Sequence, residues 1–517
     1  MHRLRSLAAS PFVYPLLFAA YPVVFLWSQN RGSGAEASSV LLLVGAMLAG
    51  ALLVFGLGWV LLHDRVRAAI ATTFIVILFA TFGHVATLLD VEEGSFSETG
   101  LLIAWGLFAV TGVLLVRGVR RPQSATRPLN LIATVLVGMN LVPVVPGLAR
   151  SGPVPTARWD VEPASLDAQA SGPARDVYYL VFDRYAGLKT LANLYGYDNS
   201  AFLDSLRSQG FSVVEDALAN YPQTTHSLAS SLNMTYLNDL AQQVGVDAGD
   251  WEPLNGSLRN STVARAFRAM GYRSAHVGSW WPVTWSDDTA DHNFVYGGVP
   301  EFGQVFLDST LLAPIGRQLG ITSLDLDRQA YERVAFQAHS LRSIAREKGP
   351  TFTFAHFLLP HPPYVFHADG TYAPPDDRRP IREAYVEQLT YSNSLIGSIV
   401  SSLIAAPGPK PIIVLQSDEG PHPPGLDSGR IASVEWAEAN DLELGRKLRI
   451  FNAYYLPGLS NDPVYPQITP VNTFRVILDA YYGGELPLLP DRTFVYTDFD
   501  HPYRFRDVTI RLRSDSE

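Results

Sequence analysis

The sequence predicts an α-helical membrane domain of five spans, followed by an α/β domain whose mostly parallel sheet is sandwiched by helices. Three observations predict it. Five apolar runs fill the first 150 residues, and strand-like and amphipathic helical runs alternate after Arg175. The strand-like runs VYYLVF and PIIVLQ are apolar almost throughout, as suits strands covered on both faces.

The apolar runs are roughly Pro11–Trp27, Val40–Leu62, Ala68–Leu89, Gly100–Val116 and Leu129–Leu148. Each approaches the ~20 residues a helix needs to cross the hydrocarbon core. One such run fits a signal peptide, but five in succession do not. Arg3 and Arg5, Arg65 and Arg67, and Arg117, Arg120, Arg121 and Arg127 fall on alternate sides of the spans. The opposite side holds Arg31, Arg150 and the acidic turn of Asp90, Glu92, Glu93 and Glu98. The positive-inside rule therefore puts the N-terminus in the cytoplasm and everything after the fifth span outside a cell membrane. His84, inside the third span, reads as an interfacial or helix-packing residue. Pro15, Pro22, Pro143 and Pro146 read as kinks or ragged helix ends.

Composition narrows the function. The 517 residues are 47% hydrophobic and 17% charged, which excludes a disordered chain. Net charge is −10, divided as +4 over residues 1–150 and −14 over 151–517. The second part repels polyanions on average, so no nucleic-acid partner is expected. Cysteine is absent, which excludes disulfides, zinc–thiolate sites, cysteine nucleophiles and cysteine-derived formylglycine.

Residues 151–175 are rich in Pro, Ala, Gly and Ser and read as a tether. In residues 176–517, strands are expected at Val177–Asp183, Phe211–Glu215, Tyr272–Val277, Thr351–Leu359, Pro411–Asp418 and Ile450–Leu456. Helices are expected at Ser200–Ser208, Ser227–Met234, Ser261–Met270, Asp327–Glu347, Ile381–Ile404 and Val471–Tyr482. In such sheets the chemistry gathers at the carboxyl ends of the strands. VYYLVF runs into Asp183, and PIIVLQS runs into Asp418 and Glu419. A carboxylate ending a buried strand needs a compensating cation, and a metal ion supplies one. Between them, NYPQTTHSLASSLN (residues 220–233) carries Thr224 and Thr225 into the first turn of a helix. A hydroxyl there is ordinarily a cap, yet the same place offers N–H groups to a phosphate or sulfate.

The pieces VYYLVFDRYA, YGYDNSAFLDSLRSQGF, NYPQTTHSLASSLNM, FAHFLLPHPPYVF, IIVLQSDEGP and FNAYYLPG, in this order, resemble the sulfatase-like branch of the alkaline phosphatase superfamily. The layout is similar to that of lipoteichoic acid synthases and lipid A phosphoethanolamine transferases. The resemblance covers about residues 176–500. It implies metal ligands at Asp183, Thr224, Asp418 and Glu419, with Thr224 as nucleophile and Ser227 completing a Thr-x-x-Ser arrangement. Thr225 is the rival nucleophile. The resemblance places His361 where it contacts the transferred group or the leaving oxygen; the alternative is a structural histidine in a Pro-bounded turn. His356 reads as a packing residue of its strand, and His422 as structural rather than catalytic.

Relatives carry Asp-His where this chain has Asp418-Glu419. An all-oxygen shell favours Mn²⁺, Mg²⁺ or Ca²⁺ over Zn²⁺. The expected function is transfer of a phospho-group of the lipid-headgroup type through Thr224 to a cell-envelope acceptor. The expected partner is a membrane lipid or lipid-linked envelope substrate. The alternatives are a phosphatase or phosphodiesterase-type hydrolase, a sulfuric-ester hydrolase, or a non-catalytic envelope scaffold. Sulfatase chemistry proper is disfavoured, because Ser227-Leu-Ala-Ser-Ser lacks the Pro and Arg that formylglycine formation needs. Trp280, Trp281 and Trp285 either line an acceptor groove or pack in the core.

Overall fold

The computed structural model describes residues 10–30, 37–89, 97–142, 154–157, 167, 172–297, 301–374, 377, 379–422 and 434–514. Arg3, Arg5, Arg31, Asp90, Glu92, Glu93, Pro143, Pro146, Arg150 and most of the tether lie outside the described residues. The chain divides into two compact units: residues 1–152 with 298–329, and residues 153–297 with 330–517.

The first unit contains helices α1 (Val13–Gln29), α2 (Ala37–Leu62), α3 (Arg65–Leu88), α4 (Glu98–Arg117) and α5 (Gln123–Leu141). Among the described residues α2, α3 and α4 are long and apolar enough to cross a membrane, and α1 is a shorter apolar helix. Their outward faces are apolar: Leu42, Leu53, Leu107 and Leu115 are exposed, a surface that water does not tolerate over such an area. Small residues line the inward faces. Ala68, Ala69 and Ala71 of α3 are buried, and Gly58 of α2 lies against Ala68, as expected where helices approach closely without a hydrophobic driving force. The Thr72 and Thr73 hydroxyls donate to carbonyls one turn earlier, so no polar group there faces hydrocarbon. Trp105 Nε1 donates to the Leu78 carbonyl, tying α4 to α3. The fifth helix begins earlier than its apolar run suggests, because a polar first turn from Gln123 extends it through Pro128.

This unit also takes a segment from the later sequence. Helices Glu301–Ser309 and Leu312–Leu319 pack on it: Phe302 and Phe306 cluster with Val23 and Val40.

The second unit is built on a seven-stranded sheet in the order β2-β7-β6-β1-β5-β3-β4. Its strands are β1 (Val177–Phe182), β2 (Ser212–Val213), β3 (Arg273–Val277), β4 (His292–Phe294), β5 (Thr351–Phe357), β6 (Ile412–Gln416) and β7 (Asn452–Tyr455). The pairs around β1, β3 and β5 are parallel, whereas β7 runs antiparallel to β6 and β2. Side chains alternate between two cores. Val177, Tyr179 and Val181 join Phe352, Phe354, Ile412 and Val414 on one face. Tyr178, Leu180 and Phe182 join Ile413 and Leu415 on the other. Each large side chain so buried contributes roughly 1.5–3 kcal/mol.

Helix α6 (Thr224–Asn233) covers the first face, and α7 (Ile381–Ile404) the second. A separate antiparallel pair joins Phe494–Tyr496 to Phe505–Asp507. Described parts of the tether lie along this unit: the Ala157 amide donates to Ser257 Oγ, and that of Asp167 to the Tyr482 carbonyl.

Candidate metal centre and active site

Strand register assembles the site. On β5–β1–β6 the residues His356, Val181 and Gln416 stand side by side. Side chains alternate with a period of two, so Asp183 and Asp418, each two residues beyond this row, emerge on the same face as His356. Asp183, His356 and Asp418 are all buried, and one ligand atom from each lies within 4.8 Å of the other two. Asp183 Oδ1, both Asp418 carboxylate oxygens and His356 Nε2 have no hydrogen-bond partner. Four buried, unpartnered acceptor-type atoms converging on one point are costly unless a cation joins them. The donor set therefore fits a divalent metal ion.

The histidine is prepared for that role. His356 Nδ1 lies 2.8 Å from Thr284 Oγ1, and Thr284 Oγ1 lies 2.8 Å from Ser279 Oγ. With the Thr284 hydroxyl donating to Ser279, His356 carries its proton on Nδ1 and leaves the Nε2 lone pair free. Burial, reinforced by neighbouring His276, pushes the His356 pKa down to about 3, so the ring is neutral. Burial and then the Glu419 charge push Asp418 up to about 7. Asp183 is also raised, by burial first and then by the charges of Asp418 and Glu419. Both shifts follow from burying carboxylates next to one another.

Thr224 opens α6, whose preceding residue Gln223 makes no side-chain cap. Its hydroxyl is close enough to favour the ionised form of Asp418. Ser227 Oγ, one turn on, donates to the Asp418 main-chain carbonyl at 2.7 Å and fixes the helix start against the end of β6. Thr225 is buried beside it. His226 is stacked on Tyr496 with Nε2 2.8 Å from the Pro502 carbonyl.

Glu419 is buried, and its Oε2 has no hydrogen-bond partner. Its Oε1 is 2.6 Å from Lys447 Nζ and 3.5 Å from Arg184 Nε, and it is not part of the three-residue cluster. The buried lysine takes the carboxylate because both charges are held out of water and each neutralises the other. An imidazole nitrogen, His356 Nε2, stands in the cluster where only oxygen donors were expected.

Arg184 adopts a left-handed backbone (φ 60°) directly after Asp183, and its charge is felt at both His361 and His422. His361 lies edge-on to Trp280, ring centroids 5.5 Å apart. Burial and then the Arg184 charge hold it well below its ordinary pKa. Trp281 lies edge-on to His356, and Trp285 lies under the Arg333 guanidinium. His422 faces Trp436 with neither ring nitrogen partnered.

Reading residues singly missed His356, Arg184 and Lys447. The signal for His356 was its parity: it is the one titratable residue in TFTFAHF, on the face that Asp183 and Asp418 share.

Residues 183–459 match the model of the sulfatase family. The chain belongs to the sulfatase family. It is similar to the C-terminal periplasmic domain of EptC from Escherichia coli (13% identity, 69% of this chain and 96% of that chain, TM-score 0.43). It is similar also to phosphonate monoester hydrolase of Agrobacterium radiobacter (15%, 63% and 80%, 0.39). Lipooligosaccharide phosphoethanolamine transferase A (EptA), an integral membrane protein from Neisseria meningitidis, aligns over 93% of this chain and 96% of its own (12% identity, TM-score 0.36). No curated protein sequence matches.

Proposed function

We propose that this protein is a membrane-bound, metal-dependent phosphotransferase that moves a phospho-group from a lipid-linked donor to a cell-envelope acceptor through Thr224. The observation that carries this reading is the cluster of Asp183, His356 and Asp418 beside the Thr224 hydroxyl. Two carboxylates and one imidazole suit Zn²⁺ or Mn²⁺ better than Ca²⁺ or Mg²⁺. Bound there, the ion supplies the Lewis acidity that lowers the pKa of the Thr224 hydroxyl, which unaided is too weak a nucleophile at neutral pH.

Thr224 Oγ1 loses its proton to water and attacks phosphorus, the P–O bond to the donor breaks and its oxygen leaves with a proton from water. The acceptor alcohol, losing its proton to water, then breaks the P–O bond to Thr224, which is reprotonated. The uncapped N–H groups at the start of α6 and the Arg184 guanidinium stabilise the equatorial oxygens. His361, neutral at pH 7, anchors an oxygen or takes a proton rather than delivering one. Lys447 and Glu419 hold the floor of the site.

Charge favours a diester. Asp183, Asp418 and Glu419 against Arg184 and Lys447 leave one negative charge, which a divalent cation turns into one positive. That complements a singly charged phosphodiester, as in a phospholipid headgroup, and leaves a doubly charged monoester in excess. The arginines around the α2–α3 and α4–α5 connections favour the cytoplasm for that side and the outside for the catalytic unit, by the positive-inside rule.

The test is product analysis with labelled phospholipid and the full chain in lipid. A labelled glycan or lipid product supports transfer; free headgroup phosphate means hydrolysis. Thr224→Ala should lose turnover on the order of 10³-fold or more and trap no phosphate adduct by mass spectrometry, while costing about 1 kcal/mol of stability. Full activity in that variant sinks the mechanism.

A further inference from the structure

The catalytic half of the sequence contributes one segment to the helical unit, and its surroundings are those of a lipid-facing element. Helices Glu301–Ser309 and Leu312–Leu319 are joined by a turn that reaches α3 well before its end. The Leu311 amide donates to the Phe79 carbonyl at 3.0 Å. Phe79 precedes the last residue of α3, Leu88, by nine residues, about 14 Å at the helical rise of about 1.5 Å per residue. Closer to that end, Gly83 touches the turn so tightly that a Cβ would stand 2.5 Å from the Asp308 carbonyl oxygen. Phe302 and Phe306, one turn apart, wedge between the end of α1 and the start of α2 through Val23 and Val40. Each of these points lies on the side of the bundle that the α1–α2 and α3–α4 connections share.

Polar groups sit where headgroups would meet them. Arg317 Nη2 binds Glu98 Oε2 at 2.7 Å, and Gln318 Nε2 donates to Thr99 Oγ1 at 3.3 Å, both at the first turn of α4. Thr310 Oγ1 accepts the Leu312 amide and donates to the Leu307 carbonyl, so the turn's backbone is satisfied without water, as hydrocarbon depth requires. Opposite the packed face, Val305, Leu319 and Ile321 are exposed. Leu41 and Leu42, at the same end of α2 as the packed Val40, are exposed as well.

We propose that residues 301–321 form an interfacial helical pair seated in the outer leaflet, whose partner is the lipid bilayer itself. The inference rests on reading α2, α3 and α4 as membrane spans and is independent of the chemistry proposed for Thr224. It gives the catalytic part of the chain a second membrane attachment besides the tether, as an amphipathic surface element rather than a sixth span.

The absence of cysteine makes the test direct. Single variants Val305→Cys and Leu319→Cys, with Leu442→Cys as an exposed reference on the second unit, carry an environment-sensitive fluorophore in the full chain. The protein is placed in nanodiscs of phosphatidylethanolamine and phosphatidylglycerol, with or without lipid spin-labelled near the headgroup. The expected result is at least about twofold quenching by the nitroxide at both insert positions, with iodide access several-fold below the reference, as for an interfacial helix. Iodide access equal to that of Leu442→Cys overturns the proposal. So does shielding from both quenchers, which means that protein covers the segment.

Discussion

At the scale of single residues, His356 is the nitrogen donor of the candidate cluster with Asp183 and Asp418. Its Nδ1 lies 2.8 Å from Thr284 Oγ1; with the proton on that nitrogen, the contact orients the ring and leaves Nε2 free to ligate. Thr284→Val should lower divalent-metal affinity about 10–100-fold, measured by competition with a chelating indicator. Unchanged affinity would leave His356 a packing residue. Asp183 and Asp418 were legible as carboxylates at strand ends, whereas the helix start offered Thr224 and Thr225 alike and only the family resemblance chose Thr224. Glu419 was legible as a carboxylate in the right loop, but its partner was not, because Lys447 arrives from a distant helix. His356 was hidden by its apolar neighbours, since parity across strands carries meaning only when the register is known.

At the scale of elements, the short helix Asp441–Leu448 is the unexpected contributor. Asn440 and Glu443 form a capping box that fixes its start, and its last turn delivers Lys447 to Glu419 and to the Gly420 carbonyl. Gly420 permits this approach, since a Cβ there would lie 2.4 Å from the Arg446 carbonyl oxygen. Lys447→Met should cost about 3–5 kcal/mol in chemical denaturation by leaving Glu419 buried with its main partner gone. Adding Glu419→Gln should recover part of that loss; a loss that the second change deepens would argue against the pair. Helices Ser200–Ser208 and Ile381–Ile404 match their sequence-derived limits, because an amphipathic period and clear boundary residues specify both. The strands β4, Phe494–Tyr496 and Phe505–Asp507 were not anticipated. Three residues are too few to show a period, and only the neighbouring chain makes them strands.

At the scale of the whole molecule, a metal bound as proposed competes with protons for one site. Asp183 and Asp418 have folded-state pKa values above those of the unfolded chain. Metal-free, they stabilise the fold below about pH 4, and that contribution is lost as pH rises towards 7. Buried His226, lowered to about 4, acts in the other sense: its contribution is full above about pH 6.5 and is lost as pH falls through 4. A metal must displace the carboxyl protons, so its stabilising effect should grow with pH. The rise in Tm on adding Zn²⁺ or Mn²⁺ to chelator-treated protein should therefore be small at pH 5 and several degrees larger at pH 7.5, read by scanning calorimetry. An equal rise at both values would place the ion elsewhere.

The sequence by itself determined the apolar helices, the α/β class, the family motifs and three residues of the proposed catalytic centre. Those features depend on local period, on composition and on residues next to one another in the chain. Tertiary structure decided the nitrogen donor, the lysine that claims Glu419, and the return of residues 301–321 to the membrane unit. Each is a meeting of segments far apart in sequence, and local patterns specify which faces must be buried without naming the surface that covers them.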